Sequence, residues 1–124
     1  KYGGFDIIID DRNNRNDTMI KTFELLFPLL NDNGIYIIED TCCWKSPNHT
    51  NSQYPNHLEY FTQFIPGLNQ TRVDDSNEGP KDHCADPFKI VKKTSDVFEY
   101  SIDSIHYGVS FIAVEKKVRK HWIP

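Results

Sequence analysis

No apolar run in this 124-residue sequence approaches the roughly 18 residues that a membrane-crossing helix needs, so no membrane span is expected. No apolar leader precedes the first strand-like segment, so export by a signal peptide is not expected. Cysteine is sparse: Cys42, Cys43 and Cys84 are odd in number and have no CxxC spacing. That argues against a disulfide frame or a zinc site and for free thiols in a reducing, cytoplasmic setting. Positive charge is not in excess, with 14 Lys and Arg against 18 Asp and Glu and a net charge of −4. A general electrostatic grip on nucleic acid or anionic lipid is thereby excluded. Internal repeats and low-complexity tracts are missing as well. What is present is 38% hydrophobic and 13% aromatic residues, enough for a core, so a disordered acidic tail is excluded. The length suits one domain spanning residues 1–124.

Phe5-Asp6-Ile7-Ile8-Ile9-Asp10-Asp11 is a β-branched run ending in two carboxylates. Its three successive isoleucines predict a strand buried on both faces, as in a parallel sheet. Asn16 and Asp17 are suited to cap a helix, and Met19, Ile20, Phe23, Leu26, Phe27 and Leu30 follow at helical spacing. The helix is expected over 17–30, with Pro28 ending or kinking it. Asn31-Asp32-Asn33-Gly34 reads as a turn, and Ile35-Tyr36-Ile37-Ile38-Glu39-Asp40 as a second buried strand that again ends in acids. Strand, helix and strand with a short return predict a parallel βαβ unit. Residues 41–56 read as a long loop, 57–65 as a short amphipathic helix ended by Pro66-Gly67, and 70–87 as a second polar loop. Strands over 98–107 and 109–116, turning at Gly108, predict an antiparallel pair. The charged run Glu115–Lys120 is expected to be solvated. The fold class expected is therefore α/β: a parallel βαβ unit followed by an antiparallel strand pair.

The chemistry-bearing pattern is the placement of acids. Asp10 and Asp11 end one strand, and Glu39 and Asp40 end its expected parallel neighbour, about 5 Å away at the same sheet edge. Open α/β sheets bind ligands outside that edge. Carboxylates gathered there repel one another. A shared divalent cation removes the conflict, and all-oxygen ligands favour Mg²⁺, Ca²⁺ or Mn²⁺ over zinc. The alternative is that one acid caps a helix and the others are solvated.

FDIIIDD, TFELLFPLL and GIYIIED in this order, with Ser104-Ile105-His106-Tyr107 through Glu115-Lys116 near the end, resemble the second half of a class I S-adenosylmethionine-dependent methyltransferase. The likeness is to the metal-dependent sugar O-methyltransferases of macrolide biosynthesis, and it covers residues 4–40 and 101–117. It implies a Rossmann-like methyltransferase sheet, present here as its C-terminal half. It also implies Asp11, Glu39 and Asp40 as ligands of Mg²⁺ or another hard divalent cation, S-adenosylmethionine as the methyl donor, and a small-molecule hydroxyl acceptor such as a sugar. A Lewis acid would lower the acceptor alcohol's pKa and orient its oxygen.

Departures from the family pattern qualify this implication. The family's His after the paired acids, a base for the acceptor, falls on Asn14, and an amide has no useful basicity. Asp17, His49 and His57 are substitutes for that role. Trp44 follows the second acidic pair and either stacks on a sugar face or packs internally. Gly3-Gly4 precedes a strand rather than following one, so it is not the donor-binding turn. These 124 residues alone are therefore expected not to hold the donor. The strand at 5–10 is expected to need either an N-terminal half or a second copy, as a homodimer, along its open edge. The alternative function is a catalytically inactive methyltransferase-like remnant acting as a binding or oligomerisation module. His83-Cys84-Ala85-Asp86 reads as a polar loop, the sequons at Asn16, Asn48 and Asn69 as chance matches, and His106 as a partly buried, hydrogen-bonded strand residue.

Overall fold

The computed structural model describes residues 3–11, 13–68 and 101–117. The predicted loop 70–87 with His83-Cys84-Ala85-Asp86, the sequon at Asn69, strand residues 98–100 and the tail beyond Lys117 lie outside the described residues.

Strand β1 (Phe5–Asp10) leads into helix α1 (Asn16–Leu26), a 3₁₀ turn (Phe27–Leu29) and strand β2 (Leu30–Glu39). Two further 3₁₀ turns (Thr41–Lys45 and Pro47–His49) and two one-turn helices follow, α2 (Glu59–Thr62) and α3 (Ile65–Leu68). Strands β3 (Ile102–Gly108) and β4 (Phe111–Lys116) complete the sheet. Its order is β1-β2-β4-β3. β1 and β2 run parallel, with Ile7 opposite Ile35 and Asp10 opposite Ile38. β4 is antiparallel to both β2 and β3. The expected parallel unit and antiparallel pair are both present. Among the described residues no helix is long and apolar enough to cross a membrane.

Several boundaries differ from the sequence reading, each for a local reason. The helix ends at Leu26 because Pro28 cannot continue the α-helical hydrogen bonds, and the chain tightens into 3₁₀ geometry. The predicted turn at Asn31–Gly34 is absorbed into β2 as an irregularity. Register passes from Phe5–Leu30 directly to Ile7–Ile35, two residues on β1 against five on β2. Asn33 takes φ 68° there, a left-handed conformation that asparagine tolerates. The Asn31 side chain clips the bulge to β1, accepting from Gly4 N (2.9 Å) and donating to Asp6 Oδ1 (2.9 Å). The single helix expected over 57–65 is two one-turn pieces, and Pro66 sits inside α3, in a first turn that tolerates it. The β3–β4 turn falls at Val109-Ser110, with Ser110 left-handed, one residue after the predicted Gly108.

α1 lies against one face of the sheet. Met19, Ile20, Phe23 and Phe27, at spacings of one, three and four, meet Tyr36 and Ile38 of β2 and Ile112 and Val114 of β4, all buried. Phe23 stacks on Phe27 at 4.8 Å and sits edge-on to Tyr36 (5.1 Å) and Phe61 (5.0 Å). Each aromatic so buried contributes about 1.5–3 kcal/mol. The tail expected to be solvated begins inside this core: Lys116 is 4% exposed and Lys117 is also buried. Lys116 Nζ donates to Leu30 O (2.7 Å) and Pro28 O (3.2 Å) and lies 5.8 Å above the Phe27 ring. The ammonium thus satisfies carbonyls left open where the helix becomes a strand.

On the face of the sheet away from α1, β1 is open among the described residues, while Ile35 and Ile37 of β2 are half-buried. Ile7 is 61% and Ile9 56% exposed, whereas Ile8 on the α1 side is half-buried and Asp10 is buried. β1 is therefore not buried on both faces among the described residues. Its isoleucine run reports hydrophobicity, not which neighbours are present.

Candidate functional site

Parallel pairing with Asp10 opposite Ile38 brings the carboxyl ends of β1 and β2 to one edge. Asp10 is buried toward α1, while Asp11, Glu39 and Asp40 are exposed. Asp40 adopts φ 59° and turns the chain out of the sheet. That turn is tied down twice: Cys43 Sγ donates to Asp40 O (3.1 Å), and Thr41 N donates to Ser110 O in the β3–β4 turn (3.2 Å). Among the described residues, no three His, Cys, Asp or Glu side chains are grouped as a set able to hold a metal ion. The acids share an edge without sharing a coordination sphere. Their chemistry fits a hard divalent cation, since the donors are all carboxylate oxygens on exposed side chains that can change rotamer. Behind them the buried Tyr36 hydroxyl has no partner among the described residues, and burial together with the negative charge of Asp10 raises its pKa.

The loop after β1 shows what became of the candidate bases. Asn14 occupies the position implied for the family His and takes φ 63°. Its carbonyl accepts from His57 Nε2 (2.6 Å) and from Cys43 Sγ (3.3 Å). A carbonyl only accepts, so Nε2 carries the proton and His57 is a neutral donor. His57 is 1% exposed, and its pKa is pushed down chiefly by burial. Such a ring, donating inward and closed to solvent, is poorly placed to take a proton from an acceptor. Asp17 is no better suited. Arg15 grips both its oxygens (3.1 Å each), Asn51 Nδ2 donates to it (3.2 Å), and Thr18 N donates to it (2.8 Å). The Arg15 and Asn51 bonds hold its carboxyl well below the usual carboxylate range. His49 Nδ1 contacts Ser46 Oγ at 3.0 Å. Burial raises the pKa of the Cys43 thiol, which makes it a weak nucleophile.

Asn16, expected as a cap, instead lies in the first turn of α1, fully buried, and ties down the loop over α1. Its Nδ2 donates to Asn51 O (3.0 Å), Tyr54 O (3.3 Å) and Pro55 O (2.8 Å), and its Oδ1 accepts from Asn51 N (2.7 Å). No spacing rule links positions 14, 43 and 57, or 16 with 51–55, and the sequence reading assigned none of these contacts.

A cavity of about 450 Å³ opens on the face of the sheet away from α1, lined by Ile37, Glu39, Asp40, Val109, Ser110 and Phe111. That volume lies in the range of small-molecule sites. Its lining joins three apolar side chains, Ile37, Val109 and Phe111, with the acids Glu39 and Asp40. Trp44, half-buried in the 41–45 turn with Lys45 Nζ 5.0 Å from its ring centre, is not among the lining residues. His106 is exposed rather than partly buried. It stacks on Phe111 at 5.5 Å because its strand position faces the side of the sheet away from α1.

No protein-family model matches the chain. It is 46% identical over 41 residues to L-olivosyl-oleandolide 3-O-methyltransferase of Streptomyces antibioticus, covering 33% of this chain and 11% of that protein. It is 44% identical over 46 residues to demethylmacrocin O-methyltransferase of Streptomyces fradiae, covering 36% and 12%. Mycinamicin VI 2''-O-methyltransferase of Micromonospora griseorubida matches at 44% over the same length. In structure, the chain resembles the MycE methyltransferase of the mycinamycin pathway, solved with Mg and SAH, at a TM-score of 0.68 and 25% identity over 99% of this chain. The chain spans 29% of that solved protein and a still smaller share of the curated relatives. The resemblance to class I S-adenosylmethionine-dependent methyltransferases of the macrolide-sugar type therefore stands. It holds in sequence over about a third of the chain and in a Rossmann-like fold over nearly all of it.

Proposed function

We propose that this chain is the acceptor-side, C-terminal part of a divalent-metal-assisted O-methyltransferase that transfers the methyl group of S-adenosylmethionine to a hydroxyl of a sugar or related small molecule. One observation carries the reading: parallel pairing sets Asp11 on the same edge as Glu39 and Asp40, and the latter two line a 450 Å³ cavity with an apolar wall. The likeness to macrolide sugar O-methyltransferases supports it. Asp11, Glu39 and Asp40 would hold Mg²⁺ or another hard cation. When bound, the cation supplies Lewis acidity to an acceptor hydroxyl. The chain's own part is orientation. Glu39 and Asp40 fix the polar side of the acceptor, Ile37, Val109 and Phe111 offer its apolar side a surface, and Trp44, four residues on from Asp40 in the chain, is the candidate to stack on a ring. Methyl transfer depends on such alignment, which can be worth about 7–11 kcal/mol of barrier. Asn14 supplies no base, and Asp17 and His57 are engaged elsewhere.

A second reading, a catalytically silent module that binds or oligomerises, is favoured by Asn14 in place of a base and by the exposed Ile7 and Ile9 on β1. Pairing of β1 with a second copy, or with an N-terminal half, would cover that edge. Calorimetric titration with Mg²⁺ tests the first reading. Binding is expected in the wild type and is expected to be lost in the Asp11→Asn, Asp40→Asn double variant. Unchanged binding in that variant places the site elsewhere, and no binding in the wild type favours the silent module.

A further inference from the structure

We propose that the ring of Phe111, leaning over Gly108 and stacked on His106, is the platform that takes the hydrogen-bearing face of a pyranose ring, with Glu39 and Asp40 at that ring's hydroxyl edge. The assignment rests on the acceptor reading above and adds to it the residues that read a sugar; it needs no cation. Phe111 sits where three strands meet, paired with Glu39 on β2 and with Gly108 on β3. Its side chain points away from α1, since its neighbour Ile112 is buried in the core. Gly108 has no side chain to hold the ring off: a Cβ built there would fall on Cε1 and Cζ of Phe111. His106, two residues earlier on β3 and so on the same face, stacks on the ring with centroids 5.5 Å apart and planes 29° from parallel. One face of the Phe111 ring is thus turned to His106. The opposite face is left to the cavity of about 450 Å³ that Phe111 lines together with Glu39 and Asp40.

A pyranose carries two chemistries in one ring, and both are met here within one cross-strand step. In a β-glucoside the axial hydrogens on C1, C3 and C5 share one face and bear slight positive charge, while the hydroxyls project around the rim. The face of an aromatic ring is negative and attracts such hydrogens. Ionised carboxylates are strong acceptors for hydroxyl protons. Glu39 stands directly across from Phe111, with about 5 Å between Cβ atoms at such a pair. Trp44 does not line this cavity. An aromatic ring over a strand glycine can also serve packing alone, and the two roles predict different outcomes.

The test is saturation-transfer NMR and thermal melting of the 124-residue chain with methyl β-D-glucopyranoside, and with D-glucitol as a polyol that has no ring face. The glucoside is expected to bind with a Kd of about 1 mM, ordinary for a ligand of its size. Saturation should reach H1, H3 and H5 most strongly, and D-glucitol should show no such pattern. Phe111→Leu is expected to weaken binding about fivefold, and Phe111→Tyr, which keeps an aromatic face, to leave it near wild type. Gly108→Ala puts a methyl where the ring now lies and removes no ligand contact. It is expected to stay folded and to weaken binding about as much as Phe111→Leu. His106→Ala, which removes the backing ring, is expected to weaken it about twofold. Wild-type affinity in folded Phe111→Leu or Gly108→Ala overturns the inference and leaves Phe111 a packing role. So does saturation spread evenly over the glucoside, or a loss that follows Trp44→Ala and not Phe111→Leu. Should Phe111→Leu not fold, Gly108→Ala and His106→Ala decide the matter. A wild type that binds no glucoside overturns the inference and removes the sugar from the acceptor reading. Glucoside held on Phe111 by a chain that binds no Mg²⁺ upholds the platform and removes the cation alone. Mg²⁺ binding lost in the Asp11→Asn, Asp40→Asn variant, with glucoside affinity equal in Phe111→Leu and wild type, overturns this inference alone.

Discussion

Truncating Asn16 is expected to release the loop that covers the N-terminal end of α1. The side chain is fully buried and makes contacts to Asn51 N and to the carbonyls of Asn51, Tyr54 and Pro55. An amide has two N–H donors, so the three carbonyls share two protons, and the accepting oxygen adds a third effective bond. At about 1 kcal/mol net for each neutral bond, Asn16→Ala should cost about 3 kcal/mol. For a chain of this size that is roughly 10 °C in melting temperature by calorimetry or circular dichroism. Asn16→Asp carries a sign as well as a size. A carboxylate there would face three carbonyl oxygens, so its folded-state pKa should rise above the unfolded value of about 3.9. The folded state then binds more protons above pH 4, and stability falls as pH rises, by about 1.4 kcal/mol per unit, up to the folded pKa. Asn16→Asp should therefore lie nearer to wild type at pH 4 than at pH 7. Asp17, whose pKa is lowered by Arg15 and Asn51, contributes with the opposite sign, and its share is lost on acidification. A loss under about 1 kcal/mol in Asn16→Ala would refute the reasoning, because it would mean that water satisfies those carbonyls as well as the amide does. So would a flat pH dependence of Asn16→Asp relative to wild type.

Two further outcomes follow from the packing. Lys116→Met keeps the aliphatic stem and removes the ammonium that binds Pro28 O and Leu30 O, so urea unfolding should show a loss of about 2 kcal/mol; an unchanged midpoint would mean those carbonyls do not depend on it. Iodoacetamide at pH 8 should alkylate exposed Cys42 well before Cys43, whose thiol is half-buried with a raised pKa. Fragment mass spectrometry of the shared peptide separates the two, and equal rates would contradict the thiol's place between the carbonyls of Asn14 and Asp40.

Much of the frame was legible because it follows from local chemistry. Unbroken isoleucine runs at 7–9 and around 35–38, an amphipathic segment between them and a return too short for anything but a crossover dictate the parallel pair. Acids at both strand ends then fall on one edge by the geometry of parallel strands alone. Pro28 marks the helix end for the same kind of reason, a missing donor at a known position. The contacts that organise the site were not legible. Asn14, Cys43 and His57 meet across up to 43 residues of chain, Asn16 holds a loop 35–39 residues away, and Lys116 reaches back 86–88 residues to the end of the first helix. The burial of Lys116, the exposure of Ile7 and Ile9 and the bulge at Asn31–Gly34 went against residue type. A side chain's hydropathy states what it would prefer to contact, while its neighbours are chosen by how distant segments close over one another. Sequence therefore determined that β1 and β2 form, that they run parallel and that carboxylates end them. Tertiary packing decided which donors reach which carbonyls and that, among the described residues, no three acids converge, because those distances are set by contacts between residues far apart in the chain.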